Sequence, residues 1–116
     1  RVIAFNHDTF LVDVRGRKIE VAGQARVGEE VLLCIRPEEV TLLKDGLDPS
    51  PSSARNALSG KVIQIGFVGP YCKVTLDCGF SLVAYITKKS LEILHLDIGD
   101  KIVSSFKATA IHVIRK

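Results

Sequence analysis

The chain has 116 residues, 47% of them hydrophobic and 25% charged, with a net charge of +3 at neutral pH. That length suits one domain, or two very small ones sharing a core, and the composition excludes disordered and collagen-like classes. No apolar run reaches the length of a bilayer span and no signal-peptide layout opens the chain; three cysteines without a CxxC pair (Cys34, Cys72 and Cys78) argue against a structural zinc site or a disulfide framework and predict mostly buried free thiols.

The charge is unevenly spread. Residues 1–43 carry six basic and seven acidic side chains, whereas residues 54–116 carry nine basic and four acidic ones, a surplus of +5. An excess of that kind favours an anionic partner, although lysines on a solvated β surface would give the same count. Arg1 stands where an initiator methionine would, and Val2 already begins a strand-like run, so the chain is expected to be a fragment of a longer polypeptide.

In chain order, 1–5 and 10–14 read as strands, and Arg15-Gly16-Arg17 as a tight turn into the alternating run 18–21. Val31–Ile35 follows, and Pro37 interrupts before Val40–Leu43; lacking a ladder donor, it belongs at an edge, a bulge or a short turn. The only low-complexity stretch, within 44–52, reads as a linker. Residues 60–116 then repeat the script: strands at 61–65, 73–77, 80–86, 102–106 and 110–114, with glycine turns between them.

The closing portions align without a gap. Val27-Gly28 lies on Ile98-Gly99, and Val31, Ile35, Val40 and Leu42 lie on Ile102, Phe106, Ile111 and Val113, the signature of an internal duplication. The second copy is longer by eight residues around Thr87–Leu94, where Thr87 or Ser90 can cap a short helix with Leu91, Leu94 and Leu96 on its apolar face. The expected fold is therefore all-β: two small units of the oligonucleotide/oligosaccharide-binding (OB) type with one short helix, divided as 1–43, a linker 44–52, and 53–116.

Catalytic signatures are missing. The chain has no GxxxxGK[ST] phosphate loop, no HExxH and no GxSxG, and His7, His95 and His112 lie apart from cysteines and carboxylate pairs. Adjacent strand residues Glu38 and Glu39 point to opposite faces and form no dyad. A single-stranded nucleic-acid binder would stack bases on exposed aromatics in a basic groove; Phe67 and Tyr71 are the candidates, with Phe5, Phe10, Phe80 and Phe106 read as core and no long basic run beside them. An oxyanion site gathers more residues: a hydroxyl, a guanidinium and an amide in Ser53-Ala54-Arg55-Asn56, Thr87 and Ser90 at the helix start, and Lys107 at the break in the last strand pair. Each of these alone reads more readily as a turn cap, a helix cap or a solvated charge.

Four ordered motifs add to this. Ser53-Ala54-Arg55-Asn56 with Leu58-x-Gly60-Lys61-Val62, then Ala84-Tyr85-Ile86-Thr87-x-x-Ser90, then Leu96-x-x-Gly99, then Phe106-Lys107-Ala108 resemble the molybdate-binding Mop/TOBE repeat over residues 53–116. In the first segment, Ile35-Arg36-Pro37-Glu38-Glu39-Val40 resembles the C-terminal regulatory region of ABC-transporter ATPase subunits. The resemblance implies the accessory domain of a molybdate/tungstate importer's ATPase subunit, cytoplasmic and peripheral to the membrane, with no ATP site of its own. It implies a homodimer that holds molybdate or tungstate between its regulatory domains and stops transport when the anion is abundant. It further implies that Ser53, Ala54, Arg55, Thr87, Ser90, Lys107 and Ala108 form the cage, shared across the subunit interface, and that the ATPase portion reaches a transmembrane subunit. The first segment lacks counterparts of the first two motifs, which makes it scaffold or dimer contact. Alternatives are a dimerisation module of a sugar-type ATPase with no anion, and the nucleic-acid binder, which is not expected as a partner.

Overall fold

A computed structural model describes residues 1–44 and 55–115. The first three strands, β1 (Val2–Asn6), β2 (Thr9–Val14) and β3 (Arg17–Ala22), form an antiparallel meander. Between β2 and β3 the chain reverses over Arg15 and Gly16, whose φ values of 49° and 85° are both positive; such a two-residue turn matches the twist of the strands it joins. β4 (Val31–Ile35) and β5 (Thr41–Lys44) are separated by a 3₁₀ turn at Pro37–Glu39, where proline's fixed φ and missing donor suit the first position. Glu38 and Glu39 thus sit in a turn rather than on a strand.

The second half follows the same plan. It comprises β6 (Arg55–Val68), β7 (Tyr71–Asp77), β8 (Ser81–Thr87), the helix α1 (Lys88–Leu94), β9 (Lys101–Lys107), a 3₁₀ turn at Ala108–Ala110 and β10 (Ile111–Arg115). Hydrogen bonds reproduce the duplication residue by residue. Val2 N–H donates to Glu29 C=O (3.0 Å) and Gly28 N–H to Val2 C=O (2.8 Å), while Val62 N–H donates to Asp100 C=O (2.9 Å) and Gly99 N–H to Val62 C=O (2.7 Å).

The two copies exchange their closing strands. β4 pairs with β10, and β5 pairs with β9, in equivalent registers: Cys34 lies opposite His112 as Ser105 lies opposite Thr41. The resulting sheets are β1-β2-β3, β10-β4 and β5-β9-β6-β7-β8, OB-like in plan though not closed into a barrel by continuous pairing among the described residues. Their inner faces meet in one core to which Val2, Phe10 and Ile19 contribute from the first half and Val62, Leu76, Ile102 and Phe106 from the second.

Alternation predicts most of this core but not all of it. Phe10 and Phe106 are buried and Phe80 is partly so, but Phe5 is 63% exposed because it shares the outward face of β1 with Ile3. Cys72 and Cys78 are buried, and burial pushes the Cys78 thiol above its ordinary pKa; Cys34, on β4, is exposed.

Arg115 ties β10 to the loop before β4, pairing with Glu29 and donating to Gln24 C=O. The hydrogen bond from Arg115 holds the Glu29 carboxyl below its ordinary value of 4.5, helped by the Arg26 N–H. A carboxylate with a depressed folded-state pKa contributes stability above its unfolded pKa and loses it as pH falls through the folded value. Glu29→Gln is therefore expected to leave a small stability deficit at pH 7 that disappears in urea titrations run below that folded value.

Candidate functional site

The residues proposed from sequence fall into two groups at opposite ends of β6. Ser53 and Ala54 lie outside the described residues. Arg55 opens β6 directly across from Lys107, the last residue of β9, and Ala108 follows as the first residue of the 3₁₀ turn. Lys107 is exposed and Ala108 is buried. As the first residue of its turn, Ala108 has an N–H with no acceptor inside that turn. The turn packs against β3.

Thr87 and Ser90 lie at the far end. Val68, the last residue of β6, pairs with Tyr71, and Tyr71 pairs with Thr87. Thirteen residue steps separate Arg55 from Val68, ~40 Å of strand path at the usual rise, bent by an irregularity between Val62 and Gln64. Thr87 is the N-cap of α1: its backbone is extended and its Oγ1 accepts from the Ser90 N–H at 3.0 Å. The Thr87 hydroxyl donates in turn to Ser90 Oγ at 3.0 Å, which leaves the Ser90 O–H as the donor for a third group. The Ser90 N–H is thus committed to the cap.

These two hydroxyls line a cleft of about 470 Å³ together with Glu38, Thr41, Tyr71 and Tyr85. Neither Lys107 nor Ala108 lines it. Glu38 was missed by sequence reasoning. It comes from the first half's 3₁₀ turn, packed against β8 because the closing strands are exchanged. The aligned repeats carried a signal for it, since Arg36-Pro37-Glu38 is the counterpart of Lys107-Ala108-Thr109.

Asn56 is reassigned. Its amide belongs with the donors in the sequence reading, yet the side chain is 7% exposed and turned to the protein interior. Its Oδ1 accepts from the Glu20 N–H and its Nδ2 donates to the Glu20 C=O, both at 2.8 Å, so it fastens β6 to β3. The candidate stacking residues are also engaged within the chain. Tyr71 stacks on Tyr85 with centroids 6.2 Å apart, and Lys88 Nζ lies 5.7 Å above the Phe67 ring. Among the described residues no group of three or more histidine, cysteine or acidic side chains is placed to hold a metal ion, and no helix is long and apolar enough to cross a membrane.

Residues 52–113, more than half of the chain, match the TOBE domain. The chain belongs to the TOBE-domain family. This TOBE domain is 41% identical over 95 residues to the molybdate/tungstate import ATP-binding protein WtpC of Pyrococcus horikoshii, and 38% identical over 96 residues to its namesake in Pyrococcus abyssi. The matches cover 81% and 82% of the chain but 25% of each relative, so the TOBE domain spans about a quarter of their length. Among solved structures, it superposes on the cytoplasmic molybdate-binding protein ModG, crystallised with molybdate bound, with a TM-score of 0.78 over 97% of this chain and 89% of that one. At 24% identity that likeness is one of fold.

Proposed function

We propose that this TOBE domain is the oxyanion sensor of a molybdate/tungstate importer's ATPase subunit, cytoplasmic and peripheral to the membrane. Each molybdate or tungstate would be held between two copies, with two equivalent sites in a two-fold dimer. The observation carrying this reading is the separation of the two donor groups along β6. Ser53, Arg55, Lys107 and the Ala108 N–H would come from one copy, and Thr87 and Ser90 from its partner. The relatives that share its sequence are ATP-binding proteins for molybdate/tungstate import, and its structural neighbour was crystallised with molybdate. A tetrahedral dianion presents acceptors only, which suits a set made of two cations, hydroxyls and an N–H. The domain's role is to bind, not to catalyse. Bridging two subunits would favour one arrangement of the transporter over another, the coupling through which abundant anion would stop transport.

Thermal melting tests the ligand. A ligand that binds only the folded state at a hundred times its Kd adds about 2.7 kcal/mol of stability, raising Tm by roughly 10 °C for a chain of this size. Molybdate and tungstate are expected to give that shift, and sulfate and phosphate much less. No shift with any of the four overturns the proposal. One observation favours a second reading, dimerisation without an anion: Glu38 lines the cleft of Thr87 and Ser90, where its charge opposes a dianion. That reading requires a dimer whose Tm ignores every oxyanion.

A further inference from the structure

The two halves of the fold differ at one strand. β9 is covered on both sides, by β5 and by residues 55–61 of β6. Among the described residues its counterpart β4 pairs only with β10. The positions opposite its other edge are those that would run directly into Arg1, since Arg1 corresponds to Lys61 and the equivalent hydrogen bonds at Val2 and Val62 fix the register. Burial records the difference. Val103 and Ser105 on β9 are 9% and 1% exposed, whereas their equivalents Leu32 and Cys34 on β4 are exposed, Leu32 by 49%.

Beside that bare edge runs a groove of about 740 Å³, bounded by β4 on one side and by Phe80, Ser81, Leu82 and Val83 of β8 on the other. The equivalent space in the other half lies between β9 and β3 and is filled. Residues 55–60 of β6 occupy it, with Asn56 clasping the Glu20 backbone and Ser59 C=O accepting from Arg17 Nη2 at 3.1 Å. In the strand register, Val83 stands where Glu20 does: Val12 faces Ile19 as Leu76 faces Leu82.

We infer that the groove between β4 and β8 is a strand-accepting slot, and that its occupant is an extended segment joined directly to the amino end of Arg1, antiparallel to β4. An exposed strand edge with an apolar flank is a template for such addition. By equivalence with Leu58 and Asn56, the segment would place an apolar side chain three residues ahead of Arg1 and a hydrogen-bonding one five residues ahead, against Val83. The slot stands on the internal symmetry alone; the identity of its occupant rests on reading the chain as part of a longer ATPase subunit.

Cys34, the one exposed thiol of the three, stands on β4 where Ser105, 1% exposed, stands on the doubly paired β9, so filling the slot is expected to shield it. Adding a copy of Arg55–Gly60 (Arg-Asn-Ala-Leu-Ser-Gly) ahead of Arg1 is expected to slow Cys34 labelling by a thiol reagent at least tenfold. It should also slow amide exchange at Val31–Ile35. The same hexapeptide with proline at its second and fourth positions should do neither. Equal labelling and exchange with both extensions overturns the slot. Slow labelling without any extension, in a chain that sediments as a dimer, overturns the cis occupant in favour of β4 pairing between copies. Fast Cys34 labelling in the full-length ATPase subunit, with the graft effective, overturns the occupant and keeps the slot.

Discussion

Mixing a chain carrying Arg55→Ala and Lys107→Ala with one carrying Thr87→Ala and Ser90→Ala is expected to restore molybdate binding that neither chain has alone. Each double variant removes one of the two donor groups, and losing a desolvated charge or its hydroxyl partners costs on the order of 3 kcal/mol, a hundredfold or more in affinity. If each site takes one group from each copy, a mixed two-fold dimer contains one intact site and one site stripped of both groups. Random assortment then gives about a quarter of the wild-type binding capacity at wild-type affinity, because half the dimers are mixed and each has one good site of two. Calorimetry on the two chains and their mixture reads this directly. No recovery in the mixture, in dimers shown to exchange subunits, means that all the donors act within one chain, and the shared cage is wrong.

The largest expected effect on stability comes from a residue of the same motif that touches no ligand. Asn56→Ala removes both hydrogen bonds to Glu20 and strands a partly buried N–H and C=O on β3. Unsatisfied groups of that kind cost about 1–3 kcal/mol each, so a loss of roughly 2–4 kcal/mol is expected from urea unfolding. Asn56→Asp should do no better, because a carboxylate keeps the acceptor for the Glu20 N–H but faces the Glu20 C=O with like charge. A loss under about 0.5 kcal/mol for Asn56→Ala would show that the clasp contributes little beyond solvent exposure. Affinity for oxyanion, measured where the variant is folded, should stay within a few-fold of wild type.

Much of the fold was legible because its cues are local. Gly16 announced a turn, alternation in 18–21 and 73–77 placed core residues on one face, and the spacing of Thr87 and Ser90 marked a capped helix. The duplication could be read because hydrophobic positions coincide without a gap. The exchange of closing strands could not, since the apolar positions Val31 and Ile35 of β4 coincide with Ile102 and Phe106 of β9 and nothing in either run says which of β5 and β10 it will meet. That one unreadable choice brought Glu38 beside Thr87. Asn56 was misjudged for a different reason: an amide beside a serine and an arginine has the same donors whether it faces solvent or a neighbouring backbone. Phe5 shows the limit of alternation, which says that two faces exist but not which one is covered.

The exchanged strands also bear on how the polypeptide acquires its structure during synthesis. β4 is made early, yet β10, its partner among the described residues, lies seventy-six positions further on, from Ile35 to Ile111. While the ribosome is still translating the second half, the first has its meander but β4 lacks β10, and β5 waits for β9 in the same way. Contacts so distant in sequence close slowly, and until they do the apolar flank of β4 stays open to neighbouring nascent chains. The two halves therefore mature together, once β9 and β10 have emerged, rather than one after the other.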